Sequence, residues 1–333
     1  MKILFIFTGG TIGSTLNGDY ISADKSKSFS IIEAYKNKFG IDFNYEVKEP
    51  YAELSENNTG NNIRQLSACI LENLGLGYDG IVVTHGTDTL QFSASAIGYA
   101  LGNSSIPVCF VSANYPIENP LSNGLFNLHG AIKFIENKSG KGAFVIYRNS
   151  GSTDTVVHRA TRLIASKAFS DEVDCVFGEF YGKFNETFNY VKNPAYAELA
   201  DEISPLNLTS LTQKCSQIMW LSPYPGMAYP EIHDNVKYIL FNTYHSGTIN
   251  TKSSDACSFF EKAQSRGVKV YITGVTDGPS YASVKAFANF NIIPIKNVSP
   301  VSAFVKLWII ADSNLNPDDY LEKSLAGDVA VRN

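Results

Sequence analysis

The sequence predicts an α/β protein with two domains: a larger N-terminal, mostly parallel sheet with flanking helices, and a smaller C-terminal parallel α/β domain. Strand-like apolar runs alternate with amphipathic helical patterns along the chain, as they do in α/β folds. Two of these runs, Ile3–Phe7 and Gly80–Thr84, show no polar alternation, which is typical of strands buried on both faces. A length of 333 residues suits two domains.

The predicted elements of the N-terminal part follow the chain in order. Apolar, β-branched runs bounded by turn residues predict strands, and apolar residues three and four apart predict helices. The predicted strands are Ile3–Phe7, Phe43–Lys48, Gly80–Thr84, Ile106–Val111 and Ala143–Tyr147, and the predicted helices are Phe29–Phe39, Ile63–Leu74, Leu90–Leu101 and Asn123–Glu136. Residues 155–164 have a mixed pattern that favours strands.

A stretch of weak periodicity separates the two predicted domains. Residues 189–213 contain several Asn, Pro and Glu residues and form the predicted linker, between an N-terminal domain of residues 1–188 and a C-terminal domain of residues 214–333. The C-terminal pattern predicts a small parallel sheet with helices between its strands. The predicted strands are Ile218–Leu221, Val236–Phe241 and Val268–Ile272, and the predicted helices are Ser254–Arg266, Val301–Ala311 and Asp318–Leu325.

Composition excludes several classes of function. A net charge of −5 and the lack of any Lys/Arg run argue against a nucleic-acid partner. The five cysteines are scattered and odd in number, which favours neither a disulfide framework nor a zinc site. No apolar stretch approaches the roughly 20 residues that span a bilayer, so no membrane partner is expected. The first apolar run is too short for a signal peptide, and we expect a soluble, cytoplasmic protein.

The first strand ends in a glycine-rich turn with a candidate nucleophile. Thr8-Gly9-Gly10-Thr11 follows the buried run, and its glycines allow a ligand to approach the backbone closely. We interpret Thr11 as a nucleophile, although such a sequence is more often an ordinary turn. It could also begin a dinucleotide-binding unit, but the spacing of Gly9, Gly10 and Gly13 does not match Gly-x-Gly-x-x-Gly.

A second buried strand is also followed by a turn that contains glycine and threonine. His85-Gly86-Thr87-Asp88 follows Gly80–Thr84, and the carboxyl ends of parallel strands meet at one edge of a sheet. Thr87 and Asp88 also suit a helix N-terminus, where they would serve only as caps. A threonine nucleophile needs a group that takes its proton, and a neutral lysine tuned by a carboxylate could do so. Composition does not say which lysine this is, and His85 is assigned no catalytic role.

Together these segments resemble a known family. Thr8–Ile12 and His85–Thr89 are similar to the two signature segments of the bacterial-type L-asparaginases, and the length resembles the cytoplasmic type I branch. Weaker matches occur in the same order along the chain. They are Gly18–Ile21, similar to a lid segment with a tyrosine; Leu54-Ser55-Glu56; Ser112–Pro116; Ser166-Lys167 with Asp174-Cys175-Val176; and Tyr224-Pro225-Gly226.

The resemblance implies hydrolysis of L-asparagine to aspartate and ammonia through a threonine acyl-enzyme, without a metal or organic cofactor. The implied catalytic residues are Thr11 as nucleophile, Tyr20 as its activator, Thr87 and Lys167 as a hydroxyl–amine relay, and Asp88 beside Lys167. The implied substrate-binding residues are Ser55 and Glu56, together with Thr87, Asp88 and the backbone at Ala113. The family's active site is shared between subunits, which implies a homodimer or homotetramer.

The chain departs from the family pattern at several positions, and these leave alternatives open. Ser112 replaces a glycine, Glu56 stands where a small polar residue or Gln is usual, and Asp277 is the only acid between Thr273 and Ser283. Glu56 is either a reader of the substrate's amino group or a solvated loop acid. The alternatives are an amidohydrolase acting on glutamine or another ω-amide or imide, and a catalytically silent ligand-binding homologue.

Overall fold

The computed structural model describes residues 1–10, 14–17, 20–23 and 30–332, with the two short strands at 14–17 and 20–23 described by their backbone. Its N-terminal strands, in chain order, are β1 (Lys2–Phe7), β2 (Ser14–Asn17), β3 (Tyr20–Ala23), β4 (Asn44–Lys48), β5 (Gly80–Thr84), β6 (Pro107–Val111), β7 (Gly142–Tyr147), β8 (Thr155–Arg159), β9 (Gly182–Phe184) and β10 (Tyr190–Lys192).

Eight of these strands form one sheet in the order β10-β9-β8-β7-β6-β5-β1-β4, while β2 and β3 pair as a separate antiparallel ribbon. Strands β4, β1, β5, β6 and β7 are parallel to one another. The pairs β7–β8, β8–β9 and β9–β10 are antiparallel. The predicted mostly parallel sheet is therefore confirmed. Because β10 starts at Tyr190, the first residues of the predicted linker belong to this sheet.

Helices cover both faces of the large sheet: α1 (Ser30–Phe39), α2 (Gly60–Asn73), α3 (Leu90–Leu101) and α4 (Gly124–Glu136). Alternate residues of β1 point to opposite faces. Ile3 and Phe5 pack in one apolar cluster with α1 and α4, whereas Leu4 and Ile6 pack in another with α2 and α3. This two-sided burial explains why the β1 sequence is apolar without alternation.

A second, four-stranded sheet lies in the C-terminal part, and all its neighbouring strands are parallel. Its elements are β11 (Ile218–Leu221), β12 (Tyr238–Asn242), α5 (Ser254–Ser265), β13 (Lys269–Val275), β14 (Ile292–Lys296) and α6 (Pro300–Asp312). Helix α6 packs against α3 of the large domain, where the hydroxyls of Ser95 and Ser302 are 2.9 Å apart. The prediction of two α/β domains is confirmed.

Two details of the C-terminal part differ from the sequence prediction. The edge strand β14 was not predicted, because Pro294 argues against a strand; an edge strand tolerates a proline. The predicted helix Asp318–Leu325 is wrong, since only a 3-10 turn forms at Pro317–Asp319. Further along this segment, carboxylate side chains accept the backbone hydrogen bonds that a helix would form internally. Ser324 N–H donates to Glu202 (2.8 Å) and Leu325 N–H donates to Asp328 (3.0 Å). None of the described helices has the length and apolarity needed to cross a bilayer.

Candidate active site

Loops at the carboxyl ends of β1, β5 and β6 are hydrogen-bonded to one another. The Thr8 hydroxyl donates to the carbonyl of Thr84 (2.7 Å), which links the turn after β1 to the end of β5. The His85 N–H donates to the carbonyl of Val111 (3.0 Å), which links the loop after β5 to the end of β6. Neighbouring strands of a parallel sheet thus deliver these three loops to one edge, as expected for ligand-binding residues in such sheets.

The turn after β1 leaves no room for side chains. Gly9 and Gly10 have φ values of +96° and +80°, which glycine adopts far more readily than other residues. Gly10 N–H donates to the carbonyl of Glu53 (3.1 Å), and Glu53 N–H donates to the carbonyl of Thr8 (3.0 Å). A β-carbon on Gly9 would lie 2.3 Å from the Glu53 carbonyl oxygen. The turn is therefore clamped against the segment that leads to Ser55.

Ser55 and Glu56 lie in one short 3-10 turn, Ser55–Asn57, but their surroundings differ. Ser55 is buried, and a β-carbon on Gly86 would lie 2.5 Å from its hydroxyl oxygen. The carbonyl of Ser55 also accepts a hydrogen bond from the Thr89 hydroxyl (2.8 Å). Glu56 is exposed to solvent. The structure thus places Ser55 against the loop after β5 and Glu56 at the surface beside it.

His85 is fully buried behind this loop. Its Nδ1 lies 2.9 Å from the Gly86 carbonyl, which can only accept, so Nδ1 carries the proton. Its Nε2 then accepts from the side-chain amide of Asn58 (3.2 Å). Burial lowers the pKa of His85 to about 4, which keeps the ring neutral near pH 7. The imidazole therefore holds the shape of the loop after β5.

A cleft of about 360 Å³ brings together residues from two predicted motifs. Thr87 and Asp88, from the loop after β5, line it together with Ser166 and Lys167, which come from a much later segment of the chain. A hydroxyl, a carboxylate and an amine that line one small cleft are groups that can donate or accept protons and bind a charged small molecule. Thr87 is half-buried, whereas Asp88 and Lys167 are exposed.

The loop that carries Lys167 is closed at its base. Ile164 N–H donates to the carbonyl of Asp174 (3.1 Å). The side-chain amide of Asn149 both accepts from Val173 N–H (2.9 Å) and donates to the Val173 carbonyl (3.1 Å). Asn149 therefore fixes the loop relative to the end of β7. Sequence reasoning missed this residue, because a polar residue in a loop gives no sign of its partner.

The loop after β6 is also held by asparagine side chains. Ala113 is buried directly beyond the strand, and the preceding Ser112 carbonyl accepts from the Asn127 side chain (2.9 Å). The side-chain oxygens of Asn114 and Asn123 each accept a hydrogen bond from the other residue's backbone N–H, both at 3.0 Å. Asn114 and Asn123 thus hold each other in place and shape this loop, a role that sequence reasoning also missed.

Several predicted site residues are not placed at the cleft by the structure. Thr11 lies outside the described residues, and Tyr20 begins β3, of which the backbone alone is described. Ser55, Glu56 and Ala113 do not line the cleft. Asp277 of the C-terminal part binds the Asn297 side chain (2.7 Å) and pairs with Lys296 (3.4 Å). Within the described ranges, no three His, Cys, Asp or Glu side chains are grouped to hold a metal ion.

The chain is similar in sequence to known proteins. The family model described as asparaginase, N-terminal, matches residues 2–192. A glutamyl-tRNA(Gln) amidotransferase subunit from Haloquadratum walsbyi is 28% identical over 350 residues, covering 99% of this chain and 76% of that protein. Its counterpart in Pyrobaculum aerophilum is 23% identical over 330 residues, covering 93% of this chain and 75% of that protein.

Solved structures share the fold of the whole chain. The thermostable L-asparaginase from Thermococcus kodakarensis superimposes with a TM-score of 0.78 at 19% identity, covering 99% of this chain and 100% of that one. L-asparaginase I from Vibrio cholerae superimposes with a TM-score of 0.77, also at 19% identity, covering 99% of each chain. At this identity the likeness concerns the two-domain architecture.

Proposed function

Because the chain belongs to the asparaginase family, we propose that it is an amidohydrolase that converts L-asparagine and water to aspartate and ammonia. The observation that carries this proposal is the cleft that Thr87, Asp88 and Lys167 line together. These are the residue types that a threonine-dependent amidohydrolase needs to move protons and to bind a zwitterion. No metal or organic cofactor takes part in the proposed reaction.

In the proposed mechanism, the hydroxyl oxygen of Thr11 attacks the carbonyl carbon of the side-chain amide. Tyr20 orients Thr11 and helps to remove its proton, because a threonine hydroxyl is a weak nucleophile on its own. Thr87 and Lys167 deliver a proton to the amide nitrogen as the C–N bond breaks and ammonia leaves. Water then adds to the acyl-enzyme and releases aspartate, which restores the Thr11 hydroxyl.

The proposed recognition of the substrate follows from its two charges. Asp88 binds the α-ammonium group, and Ser55 with neighbouring backbone N–H groups binds the α-carboxylate, since charge-assisted hydrogen bonds are the stronger class. Backbone groups near Thr87 and Ala113 frame the reacting amide and stabilise negative charge on its oxygen in the transition state. The subunits are proposed to assemble as a homodimer or homotetramer, which sedimentation analysis would test.

The first test is ammonia release from a panel of asparagine, glutamine, D-asparagine and succinamate. Asparagine should be the best substrate, whereas a preference for glutamine would support the alternative amidohydrolase. Thr11→Ala should fold normally and lose several orders of magnitude in turnover, on the order of 6 kcal/mol or more in the barrier. A substantial remaining activity in this variant would show that Thr11 is not the nucleophile.

A second candidate is a subunit that releases ammonia for transfer to an aminoacyl-tRNA. It is favoured by the relatives named as glutamyl-tRNA(Gln) amidotransferase subunits, one of which matches nearly the whole chain. The amide hydrolysis would be the same, but the ammonia would be consumed by another subunit. Rapid ammonia release from free asparagine by the purified chain alone would favour the hydrolase. Release that requires glutamyl-tRNA and further protein would favour the transfer role.

A further inference from the structure

The cleft beside Lys167 combines polar groups with an apolar wall. Thr87, Asp88 and Lys167 are among its polar lining residues, and the half-buried Ile164 and Val173 supply apolar surface. Apolar walls with a few polar groups are typical of sites that bind small organic molecules.

Phe169 lies two residues after Lys167 and lines the same cleft. Its side chain is fully exposed to solvent, and its φ of +62° lies in the left-handed region, which bulky residues rarely adopt. A strained backbone that holds an aromatic ring in water is a reason to look for a functional role. A ring that is exposed and lines the cleft can cover part of a bound molecule.

The direction of the reaction connects this apolar surface to the substrate. In the proposed function, on which this inference rests, Thr87 and Lys167 deliver the proton to the leaving nitrogen. Any group attached to that nitrogen must therefore lie on the side of Thr87 and Lys167, in the cleft that Phe169 also lines. Asp171 and Glu172 line it as well, which disfavours an anionic substituent.

We propose that this part of the cleft is a leaving-group subsite, and that the protein hydrolyses side-chain amides whose nitrogen carries an uncharged apolar or aromatic substituent. The threonine oxygen bonds to the carbonyl carbon, the C–N bond breaks, and the substituted amine leaves with a proton from the relay. Water then cleaves the acyl-enzyme, so the overall products are aspartate and a primary amine. Phe169 forms the outer wall of the subsite.

The test compares kcat/KM for L-asparagine and for N4-benzyl-L-asparagine, with release of ammonia and of benzylamine as the two readouts. Both should be hydrolysed by the wild type. In Phe169→Ala and Phe169→Gly, the ratio of the benzyl to the unsubstituted value should fall by about tenfold or more, the scale of a lost apolar contact. Phe177→Ala is the matched control, because Phe177 is also exposed with a positive φ of 59° but does not line the cleft.

The possible outcomes distinguish a failure of the subsite proposal from a failure of the proposed function. A falling ratio in the Phe169 variants, with an unchanged ratio in Phe177→Ala, supports the subsite. Hydrolysis of asparagine without hydrolysis of the benzyl amide overturns the subsite and leaves the proposed function standing. Hydrolysis of both amides with an unchanged ratio in the Phe169 variants also overturns it. Hydrolysis of neither amide overturns the proposed function, and the subsite falls with it.

Discussion

Gly10 and Gly86 lie backbone against backbone, so that a β-carbon on Gly10 would be 2.4 Å from the backbone nitrogen of Gly86. This contact joins the turn after β1 to the loop after β5. It also sets the distance between the two segments that carry the proposed nucleophile and the proposed relay. A side chain at Gly10 must therefore separate the two halves of the candidate site.

Gly10→Ala tests this contact. Overpacking should lower the free energy of unfolding by about 1–3 kcal/mol beyond the cost of backbone strain. It should also reduce ammonia release by on the order of 100-fold, because small displacements of reacting groups are costly. Gly77→Ala is the matched control, since both glycines have a φ of +80° but a β-carbon on Gly77 meets nothing within 4 Å. Urea denaturation and ammonia release provide the measurements, and equal losses in the two variants would contradict the argument.

Much of the framework could be predicted because burial leaves a pattern in sequence. The side chains of β1 face two apolar layers, so Ile3–Phe7 is apolar throughout and predicts a buried parallel strand. The edge strand β14 could not be predicted, because Pro294 interrupts the pattern that its β-branched residues otherwise form. The uninterrupted apolar runs of the buried strands therefore also predict the sheet edge at which the loops after these strands meet.

The polar clamps of the site could not be predicted in the same way. Asn114 binds Asn123, and Asn149 binds Val173 across 24 positions, spacings that follow neither a helical nor a strand period. Lys167 is identified among the lysines by the family resemblance of Ser166-Lys167 and Asp174-Cys175-Val176, and not by any helical or strand period. Contacts between loops depend on where the sheet brings the loops, and local sequence does not encode this.

Lys167→Met should abolish turnover and leave aspartate binding detectable by calorimetry. The proposed relay needs an amine that exchanges a proton, and methionine keeps the approximate length of the side chain without this group. Lys252→Met is the control, because Lys252 is exposed in the segment before α5 and outside the cleft. If Lys167→Met kept full activity, the proton-transfer role would belong to another residue.

Glu56→Gln tests whether this exposed acid reads the substrate's amino group. If Glu56 binds the ammonium, the substitution should lower kcat/KM for asparagine. The loss of transition-state stabilisation should be roughly 1–3 kcal/mol, the scale of a charged hydrogen bond. Succinamate lacks the amino group and should be little affected. Glu53→Gln provides the control, since Glu53 is an exposed acid in the segment just before this turn. Equal losses for asparagine and succinamate would show that Glu56 does not bind the amino group.

Buried histidines, among them His85 and His158, should make stability depend on pH. Burial lowers the pKa of His85 and of His158 from the ordinary 6.5 to about 4. Because the folded-state pKa is the lower one, the unfolded chain binds protons first as the pH falls. The stabilisation is therefore fully present above pH 6.5 and is lost as the pH falls toward 4. Each of the two histidines should remove about 2 kcal/mol of unfolding free energy as the pH falls by about two units from neutrality.

His158→Leu should isolate one of these contributions. Neither ring nitrogen of His158 has a hydrogen-bond partner among the described residues, so leucine removes the titration without breaking a hydrogen bond. Asp174 acts in the opposite direction, because its charge favours the protonated ring. We expect the loss of unfolding free energy between about pH 7 and about pH 5, measured by urea denaturation, to be about 2 kcal/mol smaller than in the wild type.

The matched control is His245→Leu, because the side chain of His245 is exposed to solvent and lies outside the core. Comparing the two leucine variants removes any general effect of replacing a histidine by an apolar residue. A wild-type slope in His158→Leu would mean that His158 binds protons equally in the folded and unfolded states over this range. In that case burial would not control the protonation of His158, and the predicted pH dependence would be wrong.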